Sequence, residues 1–420
     1  MLYHQVFTKY KPKYDIIPPI NYQGIDMTLE EIDKKFVLQT YARDYTNFVK
    51  GVGSKLYDKN GDEYIDFGSG IGVNSVGHGN PKLVEAICNQ ASNIIHISNL
   101  QVIEPQARLA KEIVELSGYD MACFFANSGA EANEGAIKLA RKYGEVKFDE
   151  KRYKVITLEH SFHGRTITTV KATGQGSFHT PHFSPYPDGF SYVPTIDDVY
   201  GAIDDETVAV MIELVQGEGG VEPFEKAKVQ ELATKLKELG VLLIVDEVQT
   251  GVYRTGEFLA SNLYEIEPDI ITLAKGLGGG VPIGVVMSKH KDILSAGDHG
   301  STFGGNYLSC ASARAVLEIL QPIYESGQID EKVLYLEAKL SSMVEKYPEV
   351  FTKSVGLGLM RGLRVKSAEV LASLLKNTIA NRVVVLKAGR NTVRFLPSIT
   401  ITKEEIDEGF ERFEKAIASL

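Results

Sequence analysis

The middle of the chain alternates short apolar runs with longer stretches in which apolar positions recur every three or four residues. Runs at 122–126, 154–158, 208–214, 241–245, 270–273 and 283–287 have the length and β-branched content of strands. Among them, 130–143, 227–239 and 307–320 carry helical spacing. This alternation predicts an α/β fold whose largely parallel sheet is covered by helices. Residues 1–35 are rich in Tyr, Pro and Lys and read as an irregular arm leading into a helix near Leu29–Phe36. Residues 54–67 read as a hairpin turning at Asn60-Gly61. After about Pro322 the texture changes to amphipathic helices with short strands at 359–365 and 393–400, as in a smaller α+β domain. The expected division is 1–90 as the arm and part of a small domain, 91–321 as the large ligand-binding domain, and 322–420 as the C-terminal small domain.

Composition removes several function classes. Of 420 residues, 44% are hydrophobic and 24% charged, which is ordinary for a globular chain, and the length favours one large domain with a smaller one. The net charge of −10 argues against a nucleic-acid partner, which would need a basic stripe. No apolar run approaches the roughly 18 residues that span a bilayer, so no membrane partner is expected. The first residues show no apolar leader. Cys88, Cys123 and Cys310 are too few and too scattered for a disulfide framework or a zinc site. They fit a cytoplasmic, reducing setting without a metal.

In open α/β sheets the ligand lies beyond the carboxyl ends of the strands, so strand-end residues carry the chemistry. Ser128-Gly129-Ala130 follows one strand and opens a helix, where free amides and a hydroxyl suit a phosphate; an ordinary N-cap serine is the alternative. Asp246 and Glu247 end a wholly apolar strand and can hold a proton on a partner nitrogen, bind a metal, or cap a turn. Lys275 follows a third strand and precedes a run in which four of five residues are glycine. A lysine can snorkel to water, but these glycines permit close approach to the backbone, and a desolvated amine can form a Schiff base. Phosphate cradle, carboxylate and imine-forming lysine together match pyridoxal 5′-phosphate, which carries a phosphate, a ring nitrogen and an aldehyde. No Gly-x-Gly-x-x-Gly and no Gly-Lys dipeptide occur, so neither a dinucleotide fingerprint nor a P-loop competes.

The chain resembles the class III (ω-) aminotransferases of fold type I. The matching stretches are Asn127-Ser-Gly-Ala-Glu-Ala-Asn-Glu, Ser161-Phe-His-Gly-Arg-Thr, Glu213-Leu-Val-Gln-Gly-Glu-Gly-Gly and Asp246-Glu-Val-Gln-Thr-Gly. They continue with Leu273-Ala-Lys-Gly-Leu-Gly-Gly-Gly, His299-Gly-Ser-Thr-Phe-Gly-Gly-Asn and Arg394-Phe-Leu-Pro. The resemblance covers the chain from about Phe36 to its end. It implies a large pyridoxal-phosphate domain with a mostly parallel seven-stranded sheet, plus a small α+β domain. It implies that Lys275 forms the imine and moves the proton, that Asp246 pairs with the ring nitrogen, and that Glu213 lies beside both. Ser128, Gly129 and Ala130 would hold the phosphate, Phe162 and Val248 the two ring faces, Gln249 the phenolic oxygen, and His163 would belong to the same cofactor shell. Arg165 and Arg394 would take carboxylates, with Ser301 and Tyr41 as further substrate contacts. Glu218 would pair with Arg394 for an amine-tailed donor and swing away for a dicarboxylate. Thr302 would reach the phosphate of a second subunit, making a homodimer with shared sites.

Within that family the expected reaction is transfer from an ω-amine to 2-oxoglutarate. His96-Ile-Ser-Asn-Leu, followed by Glu104-Pro-Gln-Ala, resembles enzymes acting on N-acetylornithine, and Ile71 stands where those acting on free ornithine carry a tyrosine. An apolar side chain there suits an acylated nitrogen. Gln101-Val102 departs from the usual aromatic pair, which keeps ornithine, 4-aminobutyrate and putrescine as alternative donors. An aminomutase, decarboxylase or epimerase on the same fold, or a non-catalytic dimeric binding protein, are the rival classes.

Overall fold

The computed structural model describes residues 27–148 and 151–420, so most of the expected arm, residues 1–26, lies outside the described part. The chain forms two units, Met1–Asn47 and Phe48–Leu420. In the first, helix Leu29–Phe36 stands where its pattern predicts, opened by a capping box in which Glu31 N donates to Thr28 Oγ1 at 3.2 Å and Thr28 N donates back to Glu31 Oε2 at 2.7 Å. It buries none of its residues.

The second unit is built on seven strands: β1 (Ala122–Ala126), β2 (Lys154–Leu158), β3 (Phe190–Val193), β4 (Thr207–Ile212), β5 (Leu242–Asp246), β6 (Ile270–Leu273) and β7 (Gly284–Ser288). Their order across the sheet is β1-β7-β6-β5-β4-β2-β3. Six run parallel, and β7 lies antiparallel to both β1 and β6. The apolar runs located all but β3, whose Phe-Ser-Tyr-Val is short and half-buried at the sheet edge and so lacks a continuous apolar signature.

The direction of β7 is what periodicity does not encode, and it matters to the site. Because β7 runs backwards, its first residue lies at the carboxyl edge of the parallel strands, with Gly284 opposite Ala126. Gly284 is forced by contact: a Cβ there would stand 2.2 Å from Ser128 O. Helices α1 (Gly129–Lys147), α2 (Lys226–Leu239) and α3 (Tyr307–Glu325) cover the sheet where helical spacing was read. Ser128 caps α1, with Glu131 N donating to its Oγ at 3.2 Å, and Asn306 caps α3 in the same way at 2.9 Å.

Beyond the main sheet, Phe351–Leu357, Met360–Val365, Leu386–Ala388 and Thr392–Phe395 form an antiparallel sheet. The strand expected over 393–400 stops at Phe395, since Pro397 cannot donate to a ladder. The hairpin Lys55–Asp58/Glu63–Asp66 forms around Gly61 (φ +86°), and its second strand pairs with Val383–Val384. Pro322, where a domain boundary was expected, sits inside α3. The apolar core runs on from Leu273 and Leu320 to Phe67, Phe395 and Phe413.

One local feature is strained. Ser69, Gly70, Ile71 and Gly72 have φ of 45°, 64°, 66° and 73°. They make a single left-handed helical turn, closed by Gly72 N to Gly68 O at 3.0 Å and Val73 N to Ser69 O at 2.8 Å. Left-handed helix costs about 1–2 kcal/mol per ordinary residue, and a β-branched Ile71 is its least willing occupant.

Two glycine substitutions separate packing from chain entropy. Gly284→Ala is expected to destabilise the cofactor-free protein by about 1–3 kcal/mol or more through overpacking. Gly201→Ala, on the short helix Val199–Ala202 with nothing within 4 Å of the added methyl, is expected to stabilise it by about 0.4–1 kcal/mol. Urea midpoints read both.

Candidate active site

The carboxyl edge of the sheet opens into a cavity of about 420 Å³. Four walls come from four strand ends. After β1 the chain turns into α1, and the amides of Gly129 and Ala130 have no acceptor among the described residues. They face the cavity at the positive end of a 19-residue helix, the arrangement that binds an anion. Ser128 is the N-cap, as its bland reading had it, while still lining the cavity. Gly129 admits no side chain, since a Cβ would stand 2.6 Å from Val248 Cγ1.

Asp246 ends β5 and is 4% exposed. Asn133 Nδ2 and His163 Nδ1 each approach its Oδ2 at 2.8 Å, and Val248 N donates to its Oδ1 at 3.0 Å. The carboxylate only accepts, so the His163 proton sits on Nδ1. Oδ2 is thereby filled, whereas Oδ1 keeps a lone pair for a further donor. Glu247 turns the opposite way, as strand alternation requires. Its oxygens accept from Thr250 Oγ1, from Ala260 N, and from the amide and hydroxyl of Ser261, at 2.7–3.0 Å. It is an internal anchor with no part in the cavity.

Lys275 follows β6, half-buried, and its amine has no hydrogen-bond or ion-pair partner among the described residues. Burial lowers its basicity; Glu218 opposes that effect and Arg394 adds to it. Glu213 follows β4, and its carboxylate accepts from Phe162 N at 2.9 Å and Gly217 N at 3.2 Å. Burial pushes its carboxyl up to about 7, with the neighbouring Asp246 charge acting in the same direction.

The remaining expected residues divide by place. Phe162, His163, Arg165, Val248 and Gln249 line the cavity. Arg165 is exposed, and its guanidinium carbon stands 3.8 Å from the Phe178 ring centre. Arg394, 2% exposed, donates through Nη1 to Glu218 Oε1 at 2.7 Å and to Gln249 Oε1 at 3.1 Å. Ser301 Oγ accepts from Asn127 Nδ2 at 3.1 Å, beside the α1 N-terminus. Thr302 is exposed and does not line the cavity of its own chain. Tyr41 belongs to the N-terminal unit, where it is exposed with Arg43 over its ring at 5.5 Å. Sequence reasoning missed Asn133, which links Asp246 to His163 O at 2.7 Å and to Thr272 Oγ1 at 2.7 Å. Its signal was helical spacing, four residues beyond Gly129 on the same face of α1.

These groups fit pyridoxal 5′-phosphate: free helix-start amides for its phosphate, an uncommitted amine for its aldehyde, and a buried carboxylate with a free lone pair for its ring nitrogen.

Comparisons with known proteins give the family. The profile of the family described as "Aminotransferase class-III" matches residues 40–417. The acetylornithine aminotransferase of Wolinella succinogenes is 56% identical over 392 residues, covering 93% of this chain and all of that one. That of Methanocaldococcus jannaschii is 45% identical over 382 residues, covering 90% and 94%. Among solved structures, the ornithine aminotransferase of Toxoplasma gondii ME49 superposes with a TM-score of 0.88 at 31% identity, covering 94% and 96%. The N-acetylornithine aminotransferase of Stenotrophomonas maltophilia K279a gives 0.76 at 33%, covering 90% and 97%.

The displaced Glu213 carboxyl has a thermodynamic consequence. The folded state holds its proton more tightly than the unfolded chain, so its contribution is complete below about 4.5 and is lost as pH rises through about 7. In cofactor-free protein, the stability of the wild type relative to Glu213→Gln is expected to fall across that window, by up to about 1.4 kcal/mol per pH unit. Denaturation midpoints measured from pH 4.5 to 7.5 check it; a constant difference is the contrary outcome.

Proposed function

The chain belongs to the class III aminotransferases, which depend on pyridoxal 5′-phosphate, and from that premise we propose that it moves the ω-amino group of N-acetylornithine, or of a similar acylated ω-amine, to 2-oxoglutarate. The products are the semialdehyde and glutamate. The observation that carries the site assignment is the amine of Lys275, without a partner among the described residues, in a cavity that also holds the Asp246 carboxylate and the α1 amides of Gly129 and Ala130.

When bound, the cofactor supplies an amine-reactive aldehyde and a cationic ring that delocalises the electrons left by C–H cleavage. The chain's residues do the rest. Gly129 and Ala130 N–H would bind the phosphate at the helix start, and Phe162 and Val248 would confine the ring. Asp246 Oδ1 holds the ring proton in place, and Asn133 and His163 keep that carboxylate from turning. Lys275 Nζ, made less basic by burial, takes a proton from one carbon and returns it to another. Gln249, on the cavity wall, would meet the phenolic oxygen. Glu213 fixes the Phe162 and Gly217 amides and thereby the loop carrying the stacking ring.

Two substrates must share one pocket. With Glu218 on Arg394 the pair is neutral, which suits a donor whose reacting carbon carries no carboxylate. When 2-oxoglutarate enters, the carboxylate beside its keto group replaces Glu218 and takes the Arg394 guanidinium bidentately. Arg165, exposed at the mouth, holds the other carboxylate. The acylated donor is supported by the names of the relatives and by Ile71, whose apolar side chain offers no partner to a charged ammonium. Exposed Thr302, beside the pinned Ser301, supports a homodimer in which Thr302 reaches the phosphate of the second site. Three unpaired thiols support a reducing, cytoplasmic setting, and no helix among the described residues is long and apolar enough to cross a membrane.

Lys275→Ala is expected to abolish turnover together with the pH-sensitive visible absorbance of the purified protein. Asp246→Asn is expected to retain cofactor while slowing single-turnover proton transfer by about 10²–10³-fold, the scale of one buried electrostatic partner. Wild-type rates in either variant would remove the assignment.

The donor is decided by kcat/KM. N-acetylornithine is expected to exceed ornithine, 4-aminobutyrate and putrescine by about tenfold or more, about 1.4 kcal/mol at the transition state. A tenfold lead for free ornithine or putrescine would reassign the donor and leave the aminotransferase in place.

A further inference from the structure

Lys275 has a φ of +41°, a backbone state that a lysine adopts only when its surroundings impose it. The peptide after it is gripped from one side. Ser75, 1% exposed, donates its hydroxyl to Gly276 O at 2.6 Å. A Cβ on Gly276 would meet Gly72 O at 3.4 Å and Ser75 Cβ at 3.5 Å, so the left-handed turn Ser69–Gly72 lies directly against the lysine's peptide.

That turn is itself tied down at several points. Asp66, 2% exposed, accepts Gly68 N at 2.8 Å and Ser69 N at 2.9 Å on Oδ1, and its Oδ2 lies 2.8 Å from His78 Nε2. On the far side, Leu396 N donates to Phe67 O at 2.6 Å and Ile399 N to Ser75 O at 2.7 Å. Residues 66–78 thus bridge the peptide of Lys275 and the strand end that carries Arg394. Ile71 is 43% exposed, so its own burial does not offset its conformation. Strain of this kind persists where the surroundings over-determine it, and it collects at functional sites. Here two strained stretches are fastened back to back by one hydroxyl.

We propose that Ser75 is a positioning residue for Lys275: its hydroxyl, presented by the left-handed turn that Asp66 anchors, fixes the Gly276 carbonyl and so holds the lysine in the left-handed conformation that delivers its amine to the cavity. The inference rests on Lys275 being the amine that joins the cofactor. Ser75 does not line the cavity, so its hydroxyl acts on the chemistry through the backbone it holds at Gly276. Without its hydroxyl the Gly276 carbonyl loses a buried donor, and the left-handed state of Lys275 is left to the 3₁₀ bonds Leu277 N to Ala274 O at 3.0 Å and Gly278 N to Lys275 O at 3.1 Å. The amine then moves relative to Glu218 and Arg394, and both its reactivity and its basicity change.

Competitive acylation of Lys275 in the cofactor-free protein, followed by mass spectrometry across pH, reads the amine without any turnover. Ser75→Ala is expected to shift the labelling midpoint by about half a pH unit or more. It is also expected to lower kcat about tenfold or more, with KM for donor and acceptor within about threefold, as for a misplaced reactive group. The pH midpoint of the visible absorbance in the loaded enzyme should move with it. Ser75→Cys, nearly the same shape with a weaker donor, should fall between. A folded Ser75→Ala protein that labels as the wild type does overturns the proposal, whether or not kcat falls, because an unaltered amine places any effect elsewhere. Should Ser75→Ala not fold, Ser75→Cys decides by the same readouts. Lys275→Ala is the separate control: cofactor still covalently attached in that variant would refute the reading of Lys275 itself, independently of Ser75.

Discussion

A carboxylate buried at the end of an apolar strand is the constraint on which this site depends. Asp246 comes at the end of five fully buried positions, and such a charge is tolerated only when donors surround it. Those donors come from three places: Asn133 on α1, His163 on the loop after β2, and the amide of Val248 on its own turn. Satisfying one buried charge therefore fixes the helix that offers anion-binding amides, the loop that carries Phe162, and the turn that carries Val248 and Gln249. The sheet places these groups near one another, and the carboxylate locks them.

The charges around the cavity are arranged to keep both polar states of the pocket accessible. Lys275 is made less basic by burial, while the buried Arg394 is matched by Glu218, which is 28% exposed in its side chain. A partly exposed partner can be exchanged for another carboxylate at modest cost, which a fully buried one could not. Glu213, raised toward neutral pH, avoids adding a second full negative charge beside Asp246. The arrangement suits alternation between a donor with one carboxylate and a dicarboxylate.

Much of this was legible from linear patterns because the reactive groups follow strands. Asp246 and Lys275 stand one to two residues beyond the ends of apolar runs, and Ser128-Gly129-Ala130 stands at a helix start, so periodicity placed each at one edge of a sheet, whereas Glu213 came from the family resemblance. Asn133 escaped notice because an asparagine on a helix face has no chemical signature until its neighbours are known. Ser75 escaped for the same reason. Glu247 shows the converse, a strand-end carboxylate that alternation turns inward to four donors of a neighbouring loop.

The sequence by itself determined the fold class, the strand and helix positions, and the motif residues that match a family, since these follow from local periodicity and short-range spacing. The tertiary structure alone decided the reversed direction of β7, the left-handed turn against Lys275 and the pairing of Arg394 with Glu218. Each of these joins residues distant in the chain, such as 284 with 126, 75 with 276 and 394 with 218. Strand direction and backbone handedness leave no trace in which positions are apolar. They emerge only when packing makes one set of long-range contacts cheaper than the others.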